Sequence, residues 1–308
     1  MRTGKLKNKS KEENTNLFTK FDMGTIYPKK HKIKLSICCA FTGRYEILEK
    51  SILESIESKY SASIKWFLCG STADDLVFIK ALKAKTNGSV EGIIWRNNPL
   101  GEKWQAAVTF AKEIYDMELL AITGSDDIIS HQLIDTIIEK HQTNTLELGN
   151  KSPVLYCTTQ WYIACTSQED SLSPTIMHCK QVQNEYFVPL GAGRFYDKNY
   201  LEQINYLIFD ETLDSCLDDY GYFTIKNLKE KIHFYTPEDG ALLSVKGDWN
   251  HMNSVNGIIQ SDAIEVTEFS IEGLPKFEKE LSRQTKAYLF GDNNKSVYEY
   301  SWTKQGIA

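Results

Sequence analysis

The chain has 308 residues, of which 42% are hydrophobic and 12% aromatic, enough to bury a large core and to exclude wholesale disorder. Its net charge of −6 is uneven, because residues 1–32 hold nine lysines and arginines against three acids and the remainder is therefore strongly acidic. An acidic body argues against a broad nucleic-acid surface. No apolar run approaches the ~20 residues of a membrane span. We therefore expect neither a span nor a signal peptide.

The seven cysteines indicate the compartment. Their number is odd and no Cys-x-x-Cys spacing occurs, which favours reduced, buried thiols over a disulfide framework or a zinc site. We therefore expect a cytoplasmic protein. The basic segment 1–32 is predicted to be a flexible N-terminal arm, a common property of charged termini.

From residue 33 the chain alternates between strand-like and helix-like patterns. The predicted strands are Lys34–Phe41, Ser63–Cys69, Val90–Trp95 and Glu118–Thr123. The predicted helices are Arg44–Ser58, Asp74–Lys85, Gly101–Tyr115 and a fourth that Ser130 caps and that runs through His141. Four such units in succession predict an α/β fold with a mostly parallel central sheet and helices on both faces.

Beyond residue 150 the pattern is less regular. Val154–Cys157 and Trp161–Cys165 are predicted to form a pair of strands. The further predicted elements are a short strand at Tyr186–Pro189, helices at Asp197–Gln203 and 216–229, and strands at His233–Tyr235 and Ala241–Val245. This change of pattern divides the predicted fold into a regular first half and a mixed second half.

The most informative segment is Leu119–Ser130, in which an apolar run ends at Gly124-Ser125 and is followed by Asp126 and Asp127. The run predicts a buried strand, which places both carboxylates at the carboxyl edge of the sheet, where open α/β folds bind ligands. Two hard oxygen donors there suit Mg²⁺ or Mn²⁺, and such a metal can hold a diphosphate. The alternative is a solvated turn, since Ser-Asp-Asp is ordinary turn chemistry.

Five short motifs follow one another in a characteristic order and spacing. They are Ala40–Arg44, Gly70–Asp74, Asn97–Trp104, Gly124–Asp127 and Leu217–Tyr220. Together they resemble the GT-A glycosyltransferases, in particular the inverting, family-two-like enzymes. The resemblance covers residues 33–250. It implies a nucleotide-binding half at 33–130 and an acceptor half at 131–250, which leaves 251–308 as a C-terminal extension.

The resemblance implies a donor site built from several loops. It puts Thr42 and Arg44 near the diphosphate or base, Ser71 and Asp74 near the base or ribose, and Lys103 near the ribose or diphosphate, with Ser125 and Asp126 completing the donor-binding set. Backbone amides near Gly101 are expected to help hold phosphate charge. The alternative for Arg44 and Lys103 is an exposed cation at a helix start, although the helix dipole disfavours a cation there.

The acidic motif departs from the family's Asp-x-Asp pattern. When Asp126 takes the second acidic position, Gly124 stands where the first carboxylate belongs. The resemblance therefore implies that Asp126 binds Mn²⁺ or Mg²⁺, that Asp127 substitutes for the lost carboxylate, and that His251 is a further ligand from a late loop. The alternative for His251 is a surface or packed imidazole.

Asp218 and Asp219 resemble the Glu-Asp motif of the family's acceptor half. The resemblance implies that Asp219 is the base that takes the proton of the acceptor hydroxyl, and that Asp218 orients it or binds acceptor. The alternative is that two acids complement a helix dipole. Gly193 and Arg194 fall where the family binds donor sugar and acceptor, and Gly193 permits close approach of the backbone.

The leading hypothesis is a metal-dependent glycosyltransferase that moves a sugar from a nucleotide-diphosphate donor to an acceptor hydroxyl with inversion. The acceptor is a glycan or, less favoured, a modified DNA base that the basic arm approaches. A non-catalytic nucleotide-sugar binding protein is a further alternative. A nucleotidyltransferase ranks low because no glycine-rich loop follows the first strand. A homo-oligomer is left open.

Overall fold

The computed structural model describes residues 32–148, 152–158, 160–165, 175–183, 186–187, 192–215, 217, 221, 224, 233–235, 240–247, 264–269 and 281–290. All of them belong to one unit of the chain, Lys32–Ala308. Its first half alternates strands and helices as predicted: β1 (Leu35–Ala40), α1 (Tyr45–Ile56), β2 (Ile64–Gly70), α2 (Ala73–Lys85), β3 (Val90–Ile94), α3 (Leu100–Ile114) and β4 (Leu119–Ile122).

Two features after β4 differ from the prediction. The second aspartate of the acidic motif does not end a strand but begins one, β5 (Asp127–Ile129). The next helix, α4 (His131–Leu148), is capped as predicted, since the Leu133 amide donates to Ser130 Oγ at 3.1 Å. It runs well past its predicted end because the next glycine or proline in the sequence is Gly149.

The second half contributes the remaining elements, β6 (Val154–Cys157), β7 (Gln160–Cys165), β8 (Thr175–Gln183), β9 (Tyr186–Phe187), β10 (Arg194–Asp197), α5 (Lys198–Gln203), β11 (His233–Tyr235), β12 (Leu242–Gly247), β13 (Ile264–Phe269) and α6 (Arg283–Phe290). The residues described within the predicted helix 216–229 are helical, at Leu217, Gly221 and Thr224. Two elements, β13 and α6, come from the predicted C-terminal extension.

The larger sheet has seven strands in the order β11-β6-β10-β4-β1-β2-β3. Its centre is parallel, because β1 pairs in parallel with both β2 and β4, and β2 pairs in parallel with β3. β10 is inserted antiparallel between β4 and β6. The β10 strand therefore starts at the edge where β4 ends.

Alternation of side chains along the strands produces a hydrophobic core on each face of this sheet. In β1, Ile37 and Cys39 belong to the core that α1, α2 and α4 cover, whereas Cys38 belongs to the opposite core under α3 and α5. Such strands are buried on both faces, as expected for a parallel sheet between two layers of helices. This arrangement confirms the predicted α/β architecture.

The smaller sheet has the order β13-β8-β7-β12-β5, and β9 pairs with β8. The predicted pairing of Val154–Cys157 with Trp161–Cys165 is wrong. Each strand already has two partners: β6 lies between β10 and β11 in the larger sheet, and β7 lies between β8 and β12 in the smaller one. The antiparallel pairing of β12 with β5 sets Ser244 opposite Asp127, which bears on the site.

A buried carboxylate joins three distant segments on the α1 side. Glu54 is 0% exposed and accepts hydrogen bonds from the amide and ring Nδ1 of His131, the amide of Ser282, and the hydroxyl of Thr285. The starts of α4 and α6 are thereby fixed to α1. None of the helices in the described part of the chain combines the length and the apolar character that a membrane crossing requires.

Candidate active site

Polar segments follow the strands of the larger sheet at one edge. They are Thr42–Arg44 after β1, Ser71–Thr72 after β2, Asn97 after β3, Gly124–Asp126 after β4, and Gly193 just before β10. Backbone bonds hold neighbours together, since the amides of Phe41, Trp95 and Gly193 donate to the carbonyls of Cys69, Gly70 and Ile122 at 2.9 to 3.2 Å. This is the carboxyl edge, where open α/β sheets bind ligands.

The acidic turn after β4 gives its two carboxylates different environments. Both oxygens of Asp127 accept hydrogen bonds from within the chain, Oδ2 from the Gly124 amide at 2.7 Å and Oδ1 from the Ser244 hydroxyl. Asp126 is fixed through its backbone, whose carbonyl accepts from the Val245 amide at 2.8 Å, and its side chain is 11% exposed. Asp127 therefore shapes the turn, and the side chain of Asp126 faces the neighbouring loop.

The glycine at the first position of the acidic motif has a geometric reason. A Cβ on Gly124 would lie 2.7 Å from Asp127 Oδ2 and 2.9 Å from Asp126 Oδ1. Both separations are shorter than side chains tolerate, so a carboxylate at position 124 would displace both aspartates. The glycine thus lets both carboxylates lie close to the backbone of position 124.

Arg44 reaches across from the β1–α1 loop to the acidic turn. Its Nη1 lies 3.6 Å from Asp126 Oδ1 and 3.5 Å from Ser125 Oγ, with the arginine side chain 34% exposed. Its backbone is left-handed (φ 53°), as is that of Gly43 (φ 64°). A left-handed conformation costs a non-glycine residue roughly 1–2 kcal/mol, so contacts elsewhere must hold Arg44 in place.

Lys103 is buried beneath the loops at the same edge of the sheet. Its side chain is 1% exposed, and its ammonium donates to the carbonyl of Phe41, to Thr42 Oγ1 at 3.0 Å and to Asn97 Oδ1 at 3.0 Å. An ammonium has three donors, and these acceptors match them. Burial lowers the pKa of Lys103. The lysine thereby joins the loop after β1 to the loop after β3. Lys103 and Phe41 are buried, whereas Thr42 and Asn97 are exposed at the surface.

The first turn of α2 contains a residue that the sequence analysis did not single out. Asp74, the predicted contact, is exposed at the start of α2, whereas Asp75 is 0% exposed. Asp75 accepts from the amides of Ser71 and Thr72 at 2.8 and 2.9 Å. Its own amide donates to Thr72 Oγ1 at 3.1 Å, which completes a capping box. The Thr-x-x-Asp spacing is the signal that would have identified it.

The predicted phosphate-binding role of the amides near Gly101 is wrong. The Leu100 amide donates to Asp214 Oδ1 at 2.9 Å, and the Gly101 amide donates to the Leu213 carbonyl at 2.8 Å. A Cβ on Gly101 would lie 1.9 Å from the Asp210 carbonyl oxygen. The glycine at this position therefore serves close packing of α3 on residues 210–214, which occupies these amides.

The predicted acceptor residues adjoin the acidic turn. Gly193 has a positive φ of 82°, and a Cβ there would lie 2.5 Å from Thr158 Cγ2. Arg194 is buried and pairs in register with Ile122 of β4. Its Nη1 would lie 2.3 Å from a Cβ on Gly221. The guanidinium therefore packs against the helical residue Gly221. Asp218, Asp219 and His251 lie outside the described residues.

The described residues offer a divalent cation one carboxylate at the acidic turn, that of Asp126. Within that part of the chain, no group of three or more histidine, cysteine, aspartate or glutamate side chains is placed to hold a metal. Mg²⁺ in proteins is nevertheless often held by one or two carboxylates together with substrate phosphates. Asp126, whose side chain is 11% exposed and lies next to a guanidinium that suits phosphate, meets that requirement for one carboxylate.

No family model and no curated protein sequence matches the chain. Among solved structures, GalNAc-T7 in complex with UDP, GalNAc and Mn²⁺ matches with a TM-score of 0.51 and 10% identity, over 73% of this chain and 47% of that one. TarS 1–349 of S. aureus matches with a TM-score of 0.48 and 12% identity, over 69% and 60%. The same fragment with UDP-GlcNAc gives 0.47 and 14%, over 70% and 59%.

The chain therefore spans less than two thirds of the length of each of these structures. At such identities a structural likeness concerns the fold. With the strand order, the parallel centre and the helices on both faces, the match to GalNAc-T7 defines a GT-A fold of the kind found in glycosyltransferases.

Proposed function

We propose that this protein is a glycosyltransferase that moves a sugar from a nucleoside-diphosphate donor to an acceptor hydroxyl, with inversion at the anomeric carbon. The observation that carries the proposal is the convergence of Arg44, Ser125 and Asp126 at the carboxyl edge of a GT-A sheet. A guanidinium beside a carboxylate provides one group for phosphate and one for a hard cation.

In the proposed donor site, Arg44 binds the diphosphate and Asp126 holds Mn²⁺ or Mg²⁺. The cation, when bound, neutralises charge on the leaving diphosphate. Asp127 keeps the turn in shape, because its oxygens are engaged by Gly124 and Ser244. His251 is proposed as a further ligand on the strength of the family resemblance alone.

The nucleoside end of the donor is assigned to the loops after β1, β2 and β3. Thr42 is exposed at this edge, and Ser71 Oγ lies 3.4 Å from Asn97 Oδ1. Lys103 acts from beneath by fixing Thr42 and Asn97 rather than by direct contact, since its three donors have acceptors within the chain. Asp74 is exposed at the start of α2, and we leave it out of the proposed donor contacts, because the carboxylate held at this edge is that of its buried neighbour Asp75.

The acceptor side is assigned to Gly193, Arg194 and Gly221. Arg194 packs against Gly221, and Asp218 and Asp219 stand between Leu217 and Gly221 in the sequence. We assign Asp219 as the base that takes the acceptor proton while the oxygen attacks the anomeric carbon. Alignment of donor and acceptor would supply much of the rate.

The first test is a donor screen. The purified protein is heated with individual UDP-, GDP- and dTDP-sugars, with and without Mn²⁺, because a ligand that binds only the native state raises Tm. Release of nucleoside diphosphate then measures slow transfer to water, and NMR identifies the anomer formed first. Binding without release would instead indicate the non-catalytic binding protein. Retained anomeric configuration would contradict inversion.

The second test is Asp126→Asn. We expect it to reduce Mn²⁺-dependent release by about 100-fold or more, in line with the loss of one charge-stabilising group from an active site. Asp116→Asn is the matched control, because Asp116 is 71% exposed and precedes β4 at the opposite edge of the sheet. Equal release by the two variants would reject the assignment of Asp126.

A further inference from the structure

One carboxylate holds the residues on both sides of Arg44. Asp75 Oδ1 accepts a hydrogen bond from the amide of Gly43 at 3.3 Å and from the phenol of Tyr45 at 2.8 Å. Gly43 immediately precedes Arg44 in the chain, and Tyr45 immediately follows it. The left-handed backbone of Arg44 is therefore flanked by two contacts to the same oxygen atom.

The other oxygen of Asp75 has a local task. Oδ2 accepts from the amides of Ser71 and Thr72 and so caps α2. The two oxygens therefore have different roles. Oδ2 holds the loop after β2, and Oδ1 joins the start of α2 to the loop after β1. Because Asp75 is 0% exposed, water does not compete strongly for these bonds.

The protonation states suit this arrangement. Burial on its own would raise the pKa of Asp75, but the hydrogen bonds from Ser71, Tyr45, Thr72 and Gly43 lower the pKa below its ordinary value. Burial and the bond to Asp75 raise the pKa of Tyr45 to about 12. Near neutral pH the carboxylate is consequently ionised and accepts, and the phenol is protonated and donates.

We propose that Asp75 is a positioning residue of the donor site, which holds Arg44 in its left-handed conformation so that its guanidinium lies beside Asp126. The expected effect on donor binding rests on the proposed function. The positioning of Arg44 rests on the contacts of Asp75 with Gly43 and Tyr45. Asp75 acts through Arg44 and contacts no substrate. Asp74, its exposed neighbour on α2, has no such role.

The decisive variant is Asp75→Asn. An asparagine whose oxygen faces Ser71 and Thr72 keeps the cap, but its NH₂ group then faces the Gly43 amide, so donor meets donor and that contact is lost. Asp74→Asn is the matched control, with the same chemical change one residue earlier. Thr72→Ala removes the other half of the capping box and reports the effect of weakened capping alone.

Binding of UDP in the presence of Mn²⁺ is measured by calorimetry for each variant. We expect Asp75→Asn to weaken binding about tenfold, with Asp74→Asn and Thr72→Ala within about twofold of wild type. In an Arg44→Gln background, Asp75→Asn should cause no further loss, because a residue that acts through Arg44 has nothing left to position. Equal losses in both backgrounds would overturn the proposal.

Crystal structures of Asp75→Asn and Asp74→Asn separate this proposal from the proposed function. We expect Arg44 to leave the left-handed region, or its guanidinium to leave Asp126, only in Asp75→Asn. If wild-type protein binds none of UDP, GDP and dTDP, the donor assignment fails, and the crystal structures still decide the positioning role. An unchanged Arg44 backbone with the Asp126 pair intact in Asp75→Asn would reject it.

Discussion

Two buried carboxylates use the same chemistry for different ends. Asp75 and Glu54 are both 0% exposed, and each accepts hydrogen bonds from four donor groups. In both cases burial acts to raise the pKa, and hydrogen bonds to the ionised form lower it overall. Each group is therefore charged at neutral pH.

The difference lies in what each carboxylate connects. Asp75 joins two loops within 32 residues of one another at the ligand-binding edge, next to Arg44. Glu54 joins α1 to residues 77, 228 and 231 positions away, namely His131, Ser282 and Thr285. We therefore expect changes around Asp75 to appear in ligand binding, and changes around Glu54 to appear in the free energy of unfolding.

The largest expected effect follows from Glu54→Ala. It leaves the buried amides and hydroxyl that faced Glu54 without an acceptor, which costs on the order of 3 kcal/mol. For a chain of this size we expect Tm to fall by about 6–12 °C. UDP binding at a temperature where the variant is folded should be unchanged. Calorimetric unfolding measures the first quantity and titration the second.

Glu57→Ala is the control for this change. Glu57 follows Glu54 by three residues at the end of α1, and its side chain is exposed. We expect its Tm to stay within about 2 °C of wild type. A Glu54 variant as stable as the Glu57 variant would show that the cluster contributes no net stability. A loss of UDP binding would show that the two carboxylates do not differ in the way described.

The regular first half of the fold could be predicted from the sequence because its signals are local. The apolar runs at Leu35–Ala40 and Leu119–Ile122 are buried strands. Each is followed within a few residues by polar groups that meet at one edge. Parallel pairing places strand ends together, so the sequence order of Arg44 and Asp126 was enough to expect them at the same site.

The remaining features depend on contacts that no local pattern encodes. The pairing of β12 with β5 joins Ser244 to Asp127 across 117 residues, and this contact helps to hold Asp127 in the acidic turn. Likewise, the amides near Gly101 were expected to bind phosphate, but residues 210–214 lie against them. Asp75 is the exception, since its capping spacing to Thr72 was present in the sequence.

A smaller effect is expected from Lys103→Met. This substitution tests whether a buried residue at the ligand-binding edge affects ligand binding more than the free energy of unfolding. The substitution removes the bonds to Thr42 and Asn97 but also removes a cation that burial disfavours. These contributions oppose each other, so we expect little change in Tm. UDP binding should weaken about tenfold because two loops lose their common support.

Lys112→Met is the matched control, with the same charge change on an exposed position of α3. It should leave UDP binding within about twofold of wild type. Should Lys103→Met lower Tm strongly while UDP affinity is retained, Lys103 would belong with Glu54 as a stabilising residue and not with the donor site.

The smallest expected effect is a pH dependence specific to the Glu54 cluster. The hydrogen bond to Glu54 raises the pKa of His131 above its ordinary value of 6.5, and the charges of Glu54, Asp135 and Glu57 act in the same direction against burial. A raised folded-state pKa means that His131 stabilises the fold fully below about pH 6.5, and that this contribution is lost as pH rises through the raised value. His141, whose pKa burial lowers to about 4, is neutral throughout this range.

Tm measured from pH 6 to pH 9 should therefore fall more in the wild type than in His131→Asn, by a few degrees at most. Arg283 lines the same surface hollow as His131, so Arg283→Gln serves to show that the slope belongs to the imidazole. Because Glu54 has a lowered pKa, its own contribution is present above about pH 4.5 and is lost only in acid. UDP binding should show no matching change between pH 6 and pH 9, since Asp75 stays ionised across that range. Parallel pH profiles for wild type and His131→Asn would mean that Glu54 holds α4 and α6 without help from a protonated histidine.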